Sequence, residues 1–343
     1  MWLARGPLAV VIAVVGLLAA CAERPEPTIE PPPAETPTPI PFPADGRVIV
    51  EAREYPWSAL GRVNTGGRGY CTGILISPSH VLASASCLYN SIEGRWWHKS
   101  ELHFVAGYQR DSHLANSPVS AYQKAPAYDP RAGASLGNVA NSWAVITLNK
   151  PIGRETGWLG LQALGQNLRR RIMLGEAQAA PAGYRRGRQH VILLNLGCGL
   201  AGAVVTASYI QPNCEVLPGD AGAPPLVFSG DALRPASEQM ANTAPGSLGA
   251  ALRRIGISPG DGRGPRPGAT AAPLPLATID YFLIHLGYMA PAAEGEFRAP
   301  NGEARAAAIR DFQSRNGLPS DGRASISLLG HLIRAAQPPP AVG

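Results

Sequence analysis

Residues 47–276 form a succession of short apolar runs cut apart by turn formers, and no other feature of the sequence narrows the possible folds as much. Gly73-Ile74-Leu75-Ile76, Val81-Leu82, Trp143-Ala144-Val145-Ile146 and Val191-Ile192-Leu193-Leu194 are rich in β-branched residues, and Gly, Pro, Asn and Ser separate them. This is an all-β signature. Within it, the polar, Pro-containing residues 229–246 read as an enlarged surface loop, with closing strands expected over 252–258 and 269–276.

Beyond Ala277 the period changes. Ile279, Phe282, Leu283 and Leu286 recur at helical spacing and stop at Gly287, a suitable C-terminal cap. Two more helices are expected over 302–315 and 325–335, so a small all-α three-helix domain follows the β region. Residues 337–343 carry no apolar periodicity and are expected to be a disordered tail. With 343 residues, 45% hydrophobic and 16% charged, the chain has room for two such units.

The first residues have a different character. Arg5 precedes an apolar run from Leu8 to Leu17, too short to span a bilayer comfortably, which leads into Leu18-Ala19-Ala20-Cys21. This resembles the lipobox of bacterial lipoproteins. The resemblance implies a signal peptide over residues 1–21, with Cys21 as lipidation site and membrane contact through a lipid anchor. Ala22 rather than Asp as the next residue fits outer-membrane sorting, with the protein on the periplasmic side of the envelope. Residues 22–45, centred on Pro31-Pro32-Pro33, then form an extended linker.

The net charge of +6 is scattered rather than gathered on one element, which argues against a nucleic-acid partner. The tightest basic runs, Arg169-Arg170-Arg171 and Arg185-Arg186-Gly187-Arg188, are read as solvated loops. If lipid takes Cys21, four of the five cysteines remain, Cys71, Cys87, Cys198 and Cys214, and an oxidising compartment allows two bridges in any of three pairings. No His or Cys pair recurs at ligand spacing outside them, so neither a metal nor a cofactor is expected.

Tyr55-Pro56-Trp57, Cys71-Thr72-Gly73-Ile74 and His80-Val81-Leu82-Ala83-Ser84-Ala85-Ser86-Cys87, followed by Asn141-Ser142-Trp143-Ala144 and Pro218-Gly219-Asp220-Ala221-Gly222-Ala223-Pro224, resemble the trypsin-like serine proteases in order and spacing. The resemblance implies a double β-barrel over 46–277 and pairs Cys71 with Cys87, leaving Cys198 for Cys214. Ser86 stands where that family carries its histidine, Ser142 where it carries its aspartate, and Ala221 where it carries its nucleophilic serine. Such chemistry needs a nucleophile, an imidazole base and a carboxylate to steady the imidazolium. Losing them typically lowers the rate about a millionfold. What persists is main-chain shape: Gly219 and Ala221 can still present an oxyanion-hole-like pair of N–H groups. Asp220 can brace the turn, although Val48-Ile49-Val50 departs from the family's activation sequence. Glu215, before the third motif, is a candidate for the base of a peptide pocket. No other histidine, whether His80, His98, His103, His113 or His190, has a serine or carboxylate at a spacing that suggests a replacement dyad.

Tyr281-Phe282-Leu283 with Leu286-Gly287-Tyr288, then Ile309-Arg310-Asp311-Phe312-Gln313 and Gly317-Leu318-Pro319-Ser320-Asp321-Gly322, resemble the three-helix peptidoglycan-binding domain, placed over 278–336. Glu294-Gly295 departs from its usual Asp-Gly. The resemblance implies peptidoglycan as partner. Arg298, Arg305 and Arg310 are the side chains read as freest to meet stem-peptide carboxylates. The reading is a non-enzymatic envelope lipoprotein that binds the wall and possible periplasmic proteins or peptides. Alternatives are a serine-type endopeptidase with unorthodox activity and a purely structural tether.

Overall fold

The computed structural model describes residues 37–337, apart from 68, 134, 164–165, 174–177, 198–203, 206–209, 212–225, 230–231, 238–245 and 259–272. Cys21, Cys198, Cys214, Glu215, Gly219, Asp220 and Ala221 therefore lie outside the described residues, as do Pro31-Pro32-Pro33 and the tail after Gln337.

Strand β1, Arg47–Val50, leads into the apolar motifs. They become β2, Leu60–Thr65; β3, Gly69–Ser77; β4, His80–Ala83; β5, Leu102–Ala106; β6, Ala115–Lys124; and β7, Ala144–Leu148. These six close into a barrel in the order β2-β3-β4-β7-β6-β5, the last strand returning to pair with β2. The strands are covered on both faces: Val63, Phe104 and Ile146 lie on one face of the sheet and Leu60, Ile74 and Leu82 on the other, and all six are fully or almost fully buried. Gly73 admits the packing around Phe104, because a Cβ there would lie 2.7 Å from Val81 Cγ1.

Further along, β8, Gln178–Ala180; β9, Ala182–Gly183; β10, Ile192–Asn195; β11, Leu226–Ser229; and β12, Ala232–Ser237 build two more sheets. One runs β1-β10-β9, and the other runs β12-β11-β8 with the short strand Gln162–Ala163 at its edge. The fully buried Tyr184 links them to the barrel: its hydroxyl donates to Tyr108 O at 2.7 Å and its N–H to Thr72 Oγ1 at 2.9 Å.

Several sequence expectations need correction here. Residues 252–258 do not supply a strand: helix α1, Leu248–Arg254, occupies that region. Ser247 caps it by accepting the Ala250 N–H, Leu248, Ala251 and Leu252 share the buried face, and Arg253 and Arg254 sit at the favourable C-terminal end. The stretch read as a loop over 229–246 contains β12, hidden in the sequence by Pro235, which pairs antiparallel with β11. Arg169-Arg170-Arg171 belongs to the helix Gln166–Met173 rather than to a loop. The end of the linker is not a free spacer either: Ile40 N–H donates to His285 O, and the Phe42 ring stacks 4.8 Å from His285.

The C-terminal helices follow the sequence closely. They are α2, Leu276–His285; α3, Gly302–Arg315; and α4, Ile326–Ala336. Asn301 and Ser325 cap the last two, and Gly287 takes the left-handed conformation, φ 78°, just past α2. Ile279, Phe282, Leu283, Ile309, Phe312, Leu329, Leu332 and Ile333 make their core. That core is continuous with the β region. Gly330 of α4 sits against Phe228, the buried Trp57 indole donates to Thr278 Oγ1 at 3.1 Å, and Tyr55 N–H donates to Pro273 O. No helix among the described residues is long and apolar enough to cross a membrane.

Candidate functional site

Strands β4 and β7 pair with Ala83 opposite Ala144, so the chain just beyond each paired end meets at one point. Ser84 lies on one side and Ser142 on the other, their hydroxyl oxygens 2.6 Å apart. The turn Ala85–Leu88 follows Ser84, and the disulfide from Cys71 on β3 to Cys87 pins it, with Cα atoms 5.9 Å apart. That bridge is the pairing implied by the resemblance. It holds Ser86 so that its hydroxyl lies 2.7 Å from Ser84 Oγ, while the Ser86 N–H donates to the same oxygen at 3.3 Å.

Ser84 is therefore the hub of a three-hydroxyl cluster. A hydroxyl has one proton and two lone pairs, and three contacts use all of them: one accepted N–H bond, and two O–H···O contacts of which it donates one. The cluster satisfies itself without a charged group. Serine hydroxyls do not accept protons near neutral pH, so nothing in this cluster can act as a general base. Sequence reasoning singled out Ser86 and Ser142 and missed Ser84, which carries no motif assignment but joins them.

The histidines are engaged elsewhere. His80 Nδ1 lies 2.8 Å from Ser77 Oγ, the two facing each other across the β3–β4 hairpin, and burial holds this imidazole below its usual pKa. No sequence motif marks this Ser–His pair, because the hairpin brings it together. His103 bonds Asn116, which also bonds His113, and His190, in a turn ahead of β10, bonds the Tyr108 hydroxyl at 2.8 Å. His285 bonds Ile40 O. None of these partners is Ser86 or Ser142.

The three arginines read as free to meet stem-peptide carboxylates have different surroundings. Arg305 is not free: its guanidinium grips Asp280 in two bonds of 2.6 and 2.7 Å, and the Asp280 side chain is 1% exposed. The same carboxylate accepts the Ala299 N–H at 3.0 Å, tying the α2–α3 connection to α2. Arg310 is exposed on α3 and covers the turn at Gly322. Arg298 is exposed and lines a cleft of about 430 Å³ together with Tyr281, Phe297, Glu296, Glu51 and Arg110.

At the root of that region stands another residue the sequence did not mark. Glu54 receives the Ala277 N–H on both carboxylate oxygens, at 3.0 and 3.2 Å, where α2 begins. A helix N-terminus favours a carboxylate, but burial outweighs it and raises the Glu54 pKa to about 7.

Comparison with protein families decides the ancestry of the β region. The family model described as "Trypsin" matches residues 46–224, just over half of the chain, and spans the positions of Ser86, Ser142 and Ala221. The chain belongs to the trypsin family. Its trypsin-like region is joined to a helical module at residues 276–332 that matches the model described as "Putative peptidoglycan binding domain". This second match begins at the first residue of α2. A solved structure of a Glu endopeptidase in complex with MPD overlaps 45% of this chain and 68% of that one, at 21% identity and a TM-score of 0.34, an overlap too loose to define a site. A comparison with curated proteins returned no match.

Proposed function

We propose that this trypsin-family chain is a non-catalytic envelope protein that binds the cell wall through its helical module and is held to the outer membrane by lipid on Cys21. The observation that carries the reading is the hydroxyl cluster of Ser84, Ser86 and Ser142, which supplies no base where a serine protease needs one. Ala221 in the third motif adds the lack of a nucleophile, on the sequence alone. The peptidoglycan-binding family match supports the wall as partner, and Arg298 in its cleft and Arg310 on α3 are the cations free to meet stem-peptide carboxylates.

The test is retention on purified insoluble peptidoglycan. Removing the helical module would expose Trp57 and Phe228, so point variants are the cleaner probe. The intact chain should sediment with the wall, and Arg298→Gln with Arg310→Gln should reduce it several-fold. No retention of the intact chain contradicts the wall-binding part of the reading. Replacement of Cys21 by Ser should release the protein from membranes.

One observation favours a second reading, a peptidase with unorthodox groups: the Ser77–His80 contact at 2.8 Å. Ser77 also accepts the Ser79 N–H at 3.3 Å, so the pair closes a tight hairpin. Labelling by a serine-directed covalent probe that vanishes in His80→Ala would favour this reading over the first.

A further inference from the structure

A wide concavity lies on the trypsin-like region, and its lining includes neither the serine cluster nor the helical module. It is a cavity of about 920 Å³ formed by β2, β3, β5 and the loop after β9. Its described lining contains two arginines and three histidines and no carboxylate. Arg62 is part of that lining. The guanidinium is held between two aromatic faces, 4.3 Å from the Tyr70 ring centre and 4.9 Å from that of Tyr108. Its donors are largely unspent: Nη1 makes one long bond of 3.4 Å to Gln189 O, and the buried Nε has no partner.

The surroundings keep this arrangement rigid. The Tyr70 hydroxyl donates to Arg185 O, and the Tyr108 hydroxyl is bonded to His190. Along the same sheet face His103, Asn116 and His113 form a bonded row. Arg186 projects from the exposed loop at the rim. A fixed planar guanidinium with spare donors, a second guanidinium in the exposed loop and no acid among the described lining residues make a surface complementary to oxyanions. The width of the cavity exceeds what one small anion fills.

We infer that this cavity binds a ligand carrying two or more oxyanion groups, one on Arg62 and another at Arg186, independently of wall binding by the helical module. Carboxylates and phosphates share that chemistry, and the probes separate them. Calorimetric titration of the full chain with short poly-L-glutamate and, separately, with tripolyphosphate should give binding to at least one. Arg62→Gln and Arg186→Gln should each weaken it tenfold or more, and Arg62→Lys should weaken it less than Arg62→Gln, because charge remains while the planar fork is lost. Arg315→Gln, on the helical module, should leave it unchanged. Arg186 is exposed in a loop, so its variant keeps the test alive if Arg62→Gln does not fold. Absence of binding to both probes, or an equal loss in Arg315→Gln, would overturn the inference.

Discussion

The first barrel and the helical module treat their family motifs in opposite ways. In the barrel, the motif's apolar positions pack the core, and the motif serines Ser84, Ser86 and Ser142 form a cluster of hydroxyls that satisfy one another. In the helical module, the motif residues themselves hold the fold. Gln313 donates through Nε2 to Asp321 Oδ1 at 2.7 Å and accepts the Gly322 N–H at 2.9 Å, so the Phe-Gln helix clamps the Asp-Gly turn, while Phe312 fills the core. Residues that mark a family can thus sit in a self-contained polar cluster in one region and act as structural clamps in another.

That contrast predicts unequal responses to substitution. The largest effect belongs to Arg305→Ala, which leaves the buried Asp280 without its counter-charge and should destabilise the protein by about 3–5 kcal/mol in chemical denaturation. Asp280→Asn with Arg305→Ala together should recover part of that loss.

Glu54, at the junction of the two regions, gives the next largest effect and makes it pH-dependent. Its folded pKa of about 7 lies above the unfolded value near 4.5, so the folded state holds this proton more tightly. The contribution is fully present below about pH 4.5 and lost as pH rises through 7. The thermal midpoint should therefore fall between pH 5 and 8 through this group, and Glu54→Gln should flatten the profile. A profile unchanged by that substitution would separate the junction from the titration.

Within the module, Gln313→Ala removes both bonds of the clamp and should lower stability by about 1–3 kcal/mol. The smallest change is expected in the barrel, where Ser142→Ala loses one hydroxyl contact at a half-buried site and should shift stability by no more than about 1 kcal/mol. If Ser142→Ala proved as damaging as Gln313→Ala, the contrast between the two regions would fail.

Much of this architecture was legible in the sequence because it depends on local patterns. The short apolar runs around Ile74, Leu82 and Val145 became barrel strands, the three helices appeared close to their expected bounds with Gly287 past the end of the first, and the resemblance paired Cys71 with Cys87. The misses have non-local or ambiguous causes. Leu248–Arg254 is too short for its period to separate helix from strand, and Pro235 disguises β12. Arg305 looked free because its partner lies on another helix, 25 residues away. Ser84 was passed over because only the fold brings it between Ser86 and Ser142, and Ile40 and Phe42 looked like spacer because proline composition says nothing about what such a segment docks on.

The most direct test of the account is proteolytic assay and labelling with a serine-directed fluorophosphonate, applied to the wild-type chain and to Ala221→Ser. The account predicts neither labelling nor cleavage in either protein, because restoring the nucleophile restores no base beside it. Stoichiometric labelling of the wild type, or appreciable cleavage by Ala221→Ser alone, would contradict it.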